Sequence, residues 1–231
     1  MLKNRKVLMT LVAVLTIIAA SMFSAWAASK SDDEETIRNA TSVLTAMLSS
    51  KDVPASALAK ADCVIVMPRV KKFAVGIGGT GGRGPMSCRE GADFKGKWSP
   101  PAMYSIGGAS AGFQVGGTST DFVLLVMSNS AVEKVLNGKV KVGADVSAAA
   151  GPGATTGGKV GGEDILTYAR AKGLFAGVSL DGSTLSPDSD ANQRLYGQAT
   201  PAKEIVSGKA TATDSGKEFM ALLNSKIAKH Q

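Results

Sequence analysis

Gly76-Ile77-Gly78-Gly79-Thr80-Gly81 fits the G-x-G-x-x-G pattern, the most conspicuous chemical signal in the 231 residues. In a dinucleotide site the last glycine opens a helix whose N-terminus receives a pyrophosphate. Here Gly82-Arg83-Gly84-Pro85 follows, which cannot start that helix, and no Lys-Ser/Thr pair follows for a P-loop. The glycines therefore read as a β-turn. The only histidine, His230, is the penultimate residue, which argues against any mechanism built on a positioned imidazole. Two cysteines and that histidine do not make a structural zinc site. Asp181, Asp188, Asp190 and Asn192 offer oxygens, but not at the spacing of a calcium loop, and a solvated turn accounts for them. For an enzyme only unallied polar residues remain, such as Asp121, Asp145 and Tyr168. The expectation is a chain with no catalytic residues, no metal and no cofactor.

The second chemistry on offer is cationic. Arg69, Lys71 and Lys72 lie together, with Arg83 a short distance along the chain; Lys95 and Lys97, Lys139 and Lys141, and Arg170 and Lys172 form smaller groups. Arg69, Lys71, Lys72 and Arg83 are the expected contacts for anionic headgroups, against the alternative of ordinary solvated surface. Each basic residue near an anionic membrane contributes about 1 kcal/mol. Three or four give weak, salt-sensitive attachment unless apolar groups insert as well. The formal net charge of +7, with 5% aromatic residues, lacks the dense basic stripes with interleaved aromatics of a nucleic-acid binder. Cys63 and Cys88 are expected to form one disulfide, against the alternative of two buried thiols.

These residues must be held by short elements. Ser31 followed by Asp32, Asp33, Glu34 and Glu35 reads as a capped helix start whose carboxylates suit the helix dipole. Ile37, Ala40, Leu44, Met47 and Leu48 continue it as one apolar stripe. Pro54 opens a second short helix. From Cys63 onward, β-branched and aromatic runs bounded by glycine read as strands: Val64–Met67, Phe73–Ile77, Gly112–Gly116, Phe122–Met127, Val140–Gly143 and Leu174–Val178. Asn129 to Leu136 reads as a helix, Asp164 to Lys172 as a turn or helix, 151–158 as a loop, and 200–214 as a polar connection. Phe219, Leu222, Leu223 and Ile227 mark a last amphipathic helix. The expected fold is α+β: a curved, mostly antiparallel β-sheet or partial barrel with helices at both ends, its in-strand glycines providing bends.

The N-terminus has its own pattern. Lys3, Arg5 and Lys6 precede an apolar run from Val7 to Ala20, and Ala25-Trp26-Ala27 offers a small-x-small site. That order predicts a cleavable signal peptide at 1–27, followed by a single domain over 28–231. The leader carries three basic residues and no acidic one, so the remainder falls from +7 to +4. The expected location is periplasmic or secreted, peripheral to a membrane where it attaches.

Several separated blocks resemble one family. Ala61-Asp62-Cys63-Val64-Ile65-Val66-Met67-Pro68, the glycine-rich 73–84, Trp98-Ser99-Pro100-Pro101, and Gly112-Phe113-Gln114-Val115-Gly116 with Thr120-Asp121 occur in order. Val142-Gly143-Ala144-Asp145 and Tyr168-Ala169-Arg170-Ala171-Lys172-Gly173-Leu174-Phe175-Ala176-Gly177 follow. Together they resemble the SYLF lipid-binding domain family, in an exported, bacterial-type version. The resemblance implies phospholipid binding without enzymatic activity, and actin as a partner by family analogy alone. Family members bind membranes in part through a basic N-terminal helix; the acidic Asp32–Glu35 start departs from that. The alternative function is a structural or protein-interaction component of the cell envelope without specific lipid binding.

Overall fold

A computed structural model describes residues 28–226 apart from 76, 92, 112–115, 152–162, 172–173, 176–179, 181 and 198. Its centre is strand β1, Cys63–Val75, paired antiparallel on one side with β2, Ile77–Cys88, and on the other with β4, Gly116–Val126. Strand β3, Ala102–Ala111, continues the sheet beyond β2, and β7, Ile165–Ala171, continues it beyond β4. Shorter strands finish the edges: β5, Val140–Lys141, and β9, Thr184–Pro187, on the β3 side; β6, Ala148–Ala150, and β8, Leu174–Phe175, against β7. Among the described strand pairs only β6–β7 is parallel. The terminal strands β5 and β6 are consecutive in the chain, joined through residues 142–147, and the sheet curls into a half-barrel.

The curl divides the core in two. Cys63, Ile65, Met67, Met86, Tyr104, Phe122 and Leu124 fill the inner face, closed by helix α3, Asn129–Asn137, and by Ile205 and Val206. Val64, Val66, Met103, Val123, Leu125 and Tyr168 face outward, and the remaining helices cover them. These are α1, Lys30–Ser49; α2, Ala55–Lys60; α4, Ser189–Tyr196; and α6, Asp214–Lys226. Helix α5, Ala202–Glu204, runs on into a π turn over Ile205–Lys209. The connection read as polar is thus partly helical, because Ala202, Ile205 and Val206 are needed to plug the inner core.

Two expectations change with the structure. Asp164 to Lys172 is not a turn or helix: Ile165–Ala171 is a strand. Its residues 165–169 are buried on both faces, so the alternation that betrays a half-exposed strand is missing. The segment around Asp188 to Asn192 is not a solvated turn. Asp188 caps α4 by accepting the Ala191 N–H at 3.1 Å, and Asn192 is buried, its amide clamping the Met103 backbone at 2.6 and 3.1 Å. Asp181 and the 152–158 part of the glycine loop lie outside the described residues, as does His230.

Cys63 and Cys88 face each other in the β1–β2 ladder and are bonded. The bridge closes a sequence separation of 25 residues. In the chain-entropy account it stabilises by about 3 kcal/mol. Urea unfolding with and without reductant is expected to show that loss as a lower midpoint. Coincident curves would show that the reduced chain keeps all its stability.

Candidate functional site

A β-bulge builds the site. Between Met67 and Val70, β1 holds two residues where β4 holds one, Asp121. Arg69 sits in the bulge with φ at 52°, a left-handed conformation a non-glycine residue adopts at a cost. The Asp121 carboxylate offsets that cost by accepting the Arg69 N–H at 2.8 Å. The extra residue also reverses the parity of the strand. Cys63, Ile65 and Met67 face the inner core before the bulge, and Val70 and Lys72 do so after it. Lys71 is thereby turned to the outer face, beside α1.

Arg69 and Lys71, both exposed, line a concavity of about 600 Å³ together with Arg83, Thr36 of α1, Ser119 and the Gly81-Gly82 stretch of β2. Lys71 stands between Gly81 and Ser119 in the ladder. Nothing lies within 4 Å of where a Gly81 side chain would start, so that glycine keeps the hollow open. Lys72 does not join this group. Its ammonium lies 6.0 Å from the Phe122 ring on the inner side, and burial pulls its pKa down. Three of the four basic residues expected at the site meet, and the fourth faces the other side of the sheet.

Arg83 has a second commitment. Its Nη2 donates to Asp33 Oδ1 at 2.5 Å and its Nε to Asp188 Oδ2 at 2.6 Å. Arg194 of α4 donates to the same Asp33 through Nε at 2.6 Å and Nη2 at 3.2 Å. Asp33 is fully buried, while the two guanidiniums keep about a third of their surface or less. Burial works against the Arg83 charge, but Asp188 and Asp33 outweigh it and its pKa is raised. The Asp33 hydrogen bonds likewise raise that of Arg194. Two cations and two anions cancel, so the positive potential of the concavity comes from Arg69 and Lys71.

By sequence alone Asp33 is one of the carboxylates that suit the helix dipole, behind a cap at Ser31. The helix instead begins at Lys30, and Ser29 is its cap: the Ser29 side chain accepts the Asp32 N–H, and Asp32 accepts the Ser29 N–H at 2.7 Å. Asp33 falls on the same stripe as Ile37, Ala40, Leu44 and Met47, all buried. The spacing 33, 37, 40, 44 was visible in the sequence and is the signal that could have found it.

The other polar residues are framework. Asp145 accepts the Lys141 N–H at 2.7 Å in an exposed turn, and Tyr168 is buried in the outer core, so with Asp121 they share no site. Ser99 of the Trp-Ser-Pro-Pro block accepts the Cys88 N–H at 3.1 Å, and Trp98 lies under the Arg89 guanidinium at 4.6 Å. Among the described residues no group of three or more His, Cys, Asp or Glu could hold a metal ion, and no described helix is long and apolar enough to cross a membrane.

Residues 107–226 match the family described as Ysc84, Las17-binding protein actin regulator. The chain belongs to the Ysc84 family. It is 35% identical over 185 residues to an SH3 domain-containing protein of Schizosaccharomyces pombe, covering 76% of this chain and 41% of that protein. It is 35% identical over 141 residues to Protein YSC84 of Saccharomyces cerevisiae, covering 57% and 30%. It is 31% identical over 186 residues to SH3 domain-containing YSC84-like protein 1 of Rattus norvegicus, covering 78% and 54%. The chain thus spans about a third to a half of the length of these relatives. Membership of the Ysc84 family groups the chain with proteins described as actin-regulator and SH3-domain proteins, none of them described by an enzymatic activity. It also corrects one expectation. The matched relatives are eukaryotic actin-regulator and SH3-domain proteins, which overturns the exported, bacterial-type version and its periplasmic, secreted or cell-envelope setting. The leader pattern behind that expectation, residues 1–27, lies outside the described residues.

Proposed function

We propose that the chain is a non-enzymatic, peripheral lipid-binding protein whose concavity receives the anionic headgroup of a phospholipid. The observation that carries this reading is the meeting of Arg69 and Lys71 in one hollow with Ser119, where a phosphate would find both charge and a hydroxyl donor. Arg83 forms the wall that ties the hollow to α1, and Lys72 acts from the opposite side of the sheet.

Co-sedimentation of the full chain with phosphatidylcholine vesicles, with and without phosphatidylserine, tests it. Pelleting is expected only with the anionic lipid and is expected to fade as salt rises. At about 1 kcal/mol per basic residue, losing two contacts costs about 2 kcal/mol, roughly a thirtyfold weaker partition. Arg69→Glu with Lys71→Glu is therefore expected to weaken binding by at least that factor. Equal pelleting without phosphatidylserine, or an unchanged double variant, would sink the reading.

A second reading is a protein partner in actin regulation, favoured by the family description. A pull-down with purified actin separates the two: stoichiometric capture with no vesicle binding would favour this one.

A further inference from the structure

Asn137-Gly138 is the only Asn-Gly step in the chain, and it stands where helix α3 ends. Asn137 is exposed and belongs to the last turn, where a helix frays. Gly138 follows with φ at 152°, a conformation that favours glycine. The amides that close α1 and α4, those of Ser50 and Gly197, donate to the carbonyls of Ala46 and Gln193 at 3.0 and 2.8 Å. The Gly138 N–H has no acceptor among the described residues. Nothing lies within 4 Å of where a Gly138 side chain would start. The step borders a hollow of about 480 Å³ lined by Lys134, Asn137, Gly138, Lys139, Val140 and Asp145. None of these residues lines the proposed headgroup hollow.

The geometry points to Asn137 as a site of self-modification, its side-chain amide being hydrolysed through a cyclic imide formed with the Gly138 nitrogen. That nitrogen, having lost its proton to hydroxide, attacks the Asn137 Cγ. The bond from Cγ to the side-chain nitrogen breaks, and ammonia leaves with a proton taken from water. Water then opens the five-membered imide at either carbonyl, giving aspartate or isoaspartate. The sum is one water consumed and one ammonia released. Three observations meet the needs of the first step. A nitrogen that holds no hydrogen bond has none to give up. A neighbour without Cβ, in open space, leaves room for the attack. A terminal turn can rotate to bring nitrogen and carbon together, which the hydrogen-bonded interior of a helix opposes. The other described asparagines lack this combination. Asn39, Asn192 and Asn224 stand inside α1, α4 and α6, and Asn129 precedes Ser130, which carries a side chain. The product places a negative charge at the C-terminal end of α3, where the helix dipole disfavours it. Within the hollow it brings the two lysines and Asp145 to a balance of charge.

The test incubates the full chain, folded, in neutral and mildly alkaline buffer, beside the chain unfolded in urea and a folded Asn137→Gln variant. Glutamine would have to close a larger ring, which is slow. Trypsin, cutting after Lys134 and Lys139, releases peptide 135–139 for mass spectrometry. In the folded parent this peptide is expected to split into two forms of equal mass, each with an acid in place of the amide. Peptides carrying Asn39 and Asn192 are expected to keep theirs. Conversion should rise with hydroxide concentration, and the intact chain should gain one negative charge on isoelectric focusing. Asn137→Gln should show no such shift. A peptide that converts in urea but survives in the folded chain would overturn the inference, because the fold would then protect the step. Survival in both would overturn it as well. An acidic shift that persists in Asn137→Gln would do the same, because its source would be another residue.

Discussion

Replacing Asp33 with alanine is expected to cost the fold about 4 kcal/mol, because it removes the one carboxylate shared by Arg83 and Arg194. Losing one partner of a buried ion pair costs about 3–5 kcal/mol, since the desolvated charges left behind have no counter-ion. Here both guanidiniums retain some solvent contact and Arg83 keeps Asp188, which limits the penalty, but Arg194 loses the carboxylate that accepts both of its hydrogen bonds. The carboxylate also joins three elements: α1 through its own backbone, β2 through Arg83, and α4 through Arg194. Urea unfolding would read the loss as a lower midpoint with an unchanged slope. Asp33→Asn, which keeps acceptor geometry without the charge, is expected to fall between the parent and the alanine variant. A midpoint unchanged by Asp33→Ala would mean that α1 is held by its apolar stripe alone.

Gly84→Ala is expected to be at least as damaging, for a steric reason. A methyl group at Gly84 would start 1.8 Å from the Val66 carbonyl oxygen and 2.8 Å from its carbon. Both obstacles are backbone within the central strand, so no rotamer change relieves them. The β1–β2 ladder spaces five β1 residues, 66–70, against four of β2, 82–85, and Gly84 lies inside that mismatch. Overpacking costs about 1–3 kcal/mol where side chains can move, and more where only backbone can. The variant is expected to lose about 4 kcal/mol or to accumulate unfolded. Gly81→Ala is the control: nothing lies within 4 Å there, so stability should stay close to that of the parent. Equal stability of the two variants would show that the bulge relaxes without cost.

The two predictions bear on function because bulge and ion pairs frame one hollow. The bulge sends Lys71 outward and exposes Arg69, and Arg83 links the wall of that hollow to the buried Asp33. A variant that unpins α1 should therefore disturb the proposed headgroup site through Arg83, although Asp33 itself does not line it.

Much of this was legible in the residues. The helices starting near 30 and 129, the last helix and the strand character of 64–67 and 122–127 followed from spacing and punctuation, which are local properties. So did the curved antiparallel sheet with helices at both ends, and the order of blocks that marks the family. Less was legible wherever burial is two-sided or pairing is long-range. Strand β7 shows no alternation because both of its faces are covered. The β3 strand is rich in glycine and alanine, with Ile106 its one β-branched residue, so it lacks the dense branched run that announces a strand. The location expected from the leader was corrected by the eukaryotic relatives.

The sequence by itself determined which residues are charged, which stretches are apolar, where helices can start and that Lys71 and Lys72 must face opposite ways once they lie in a strand. Only the tertiary structure decided which of the two faces outward, because one extra residue at the bulge sets the parity. It also decided that Asp33 is a buried anchor, since a carboxylate on an apolar stripe acquires its meaning from arginines 50 and 161 residues away. Spacing along the chain cannot report such a pairing; it exists only after the sheet has brought α1, β2 and α4 together.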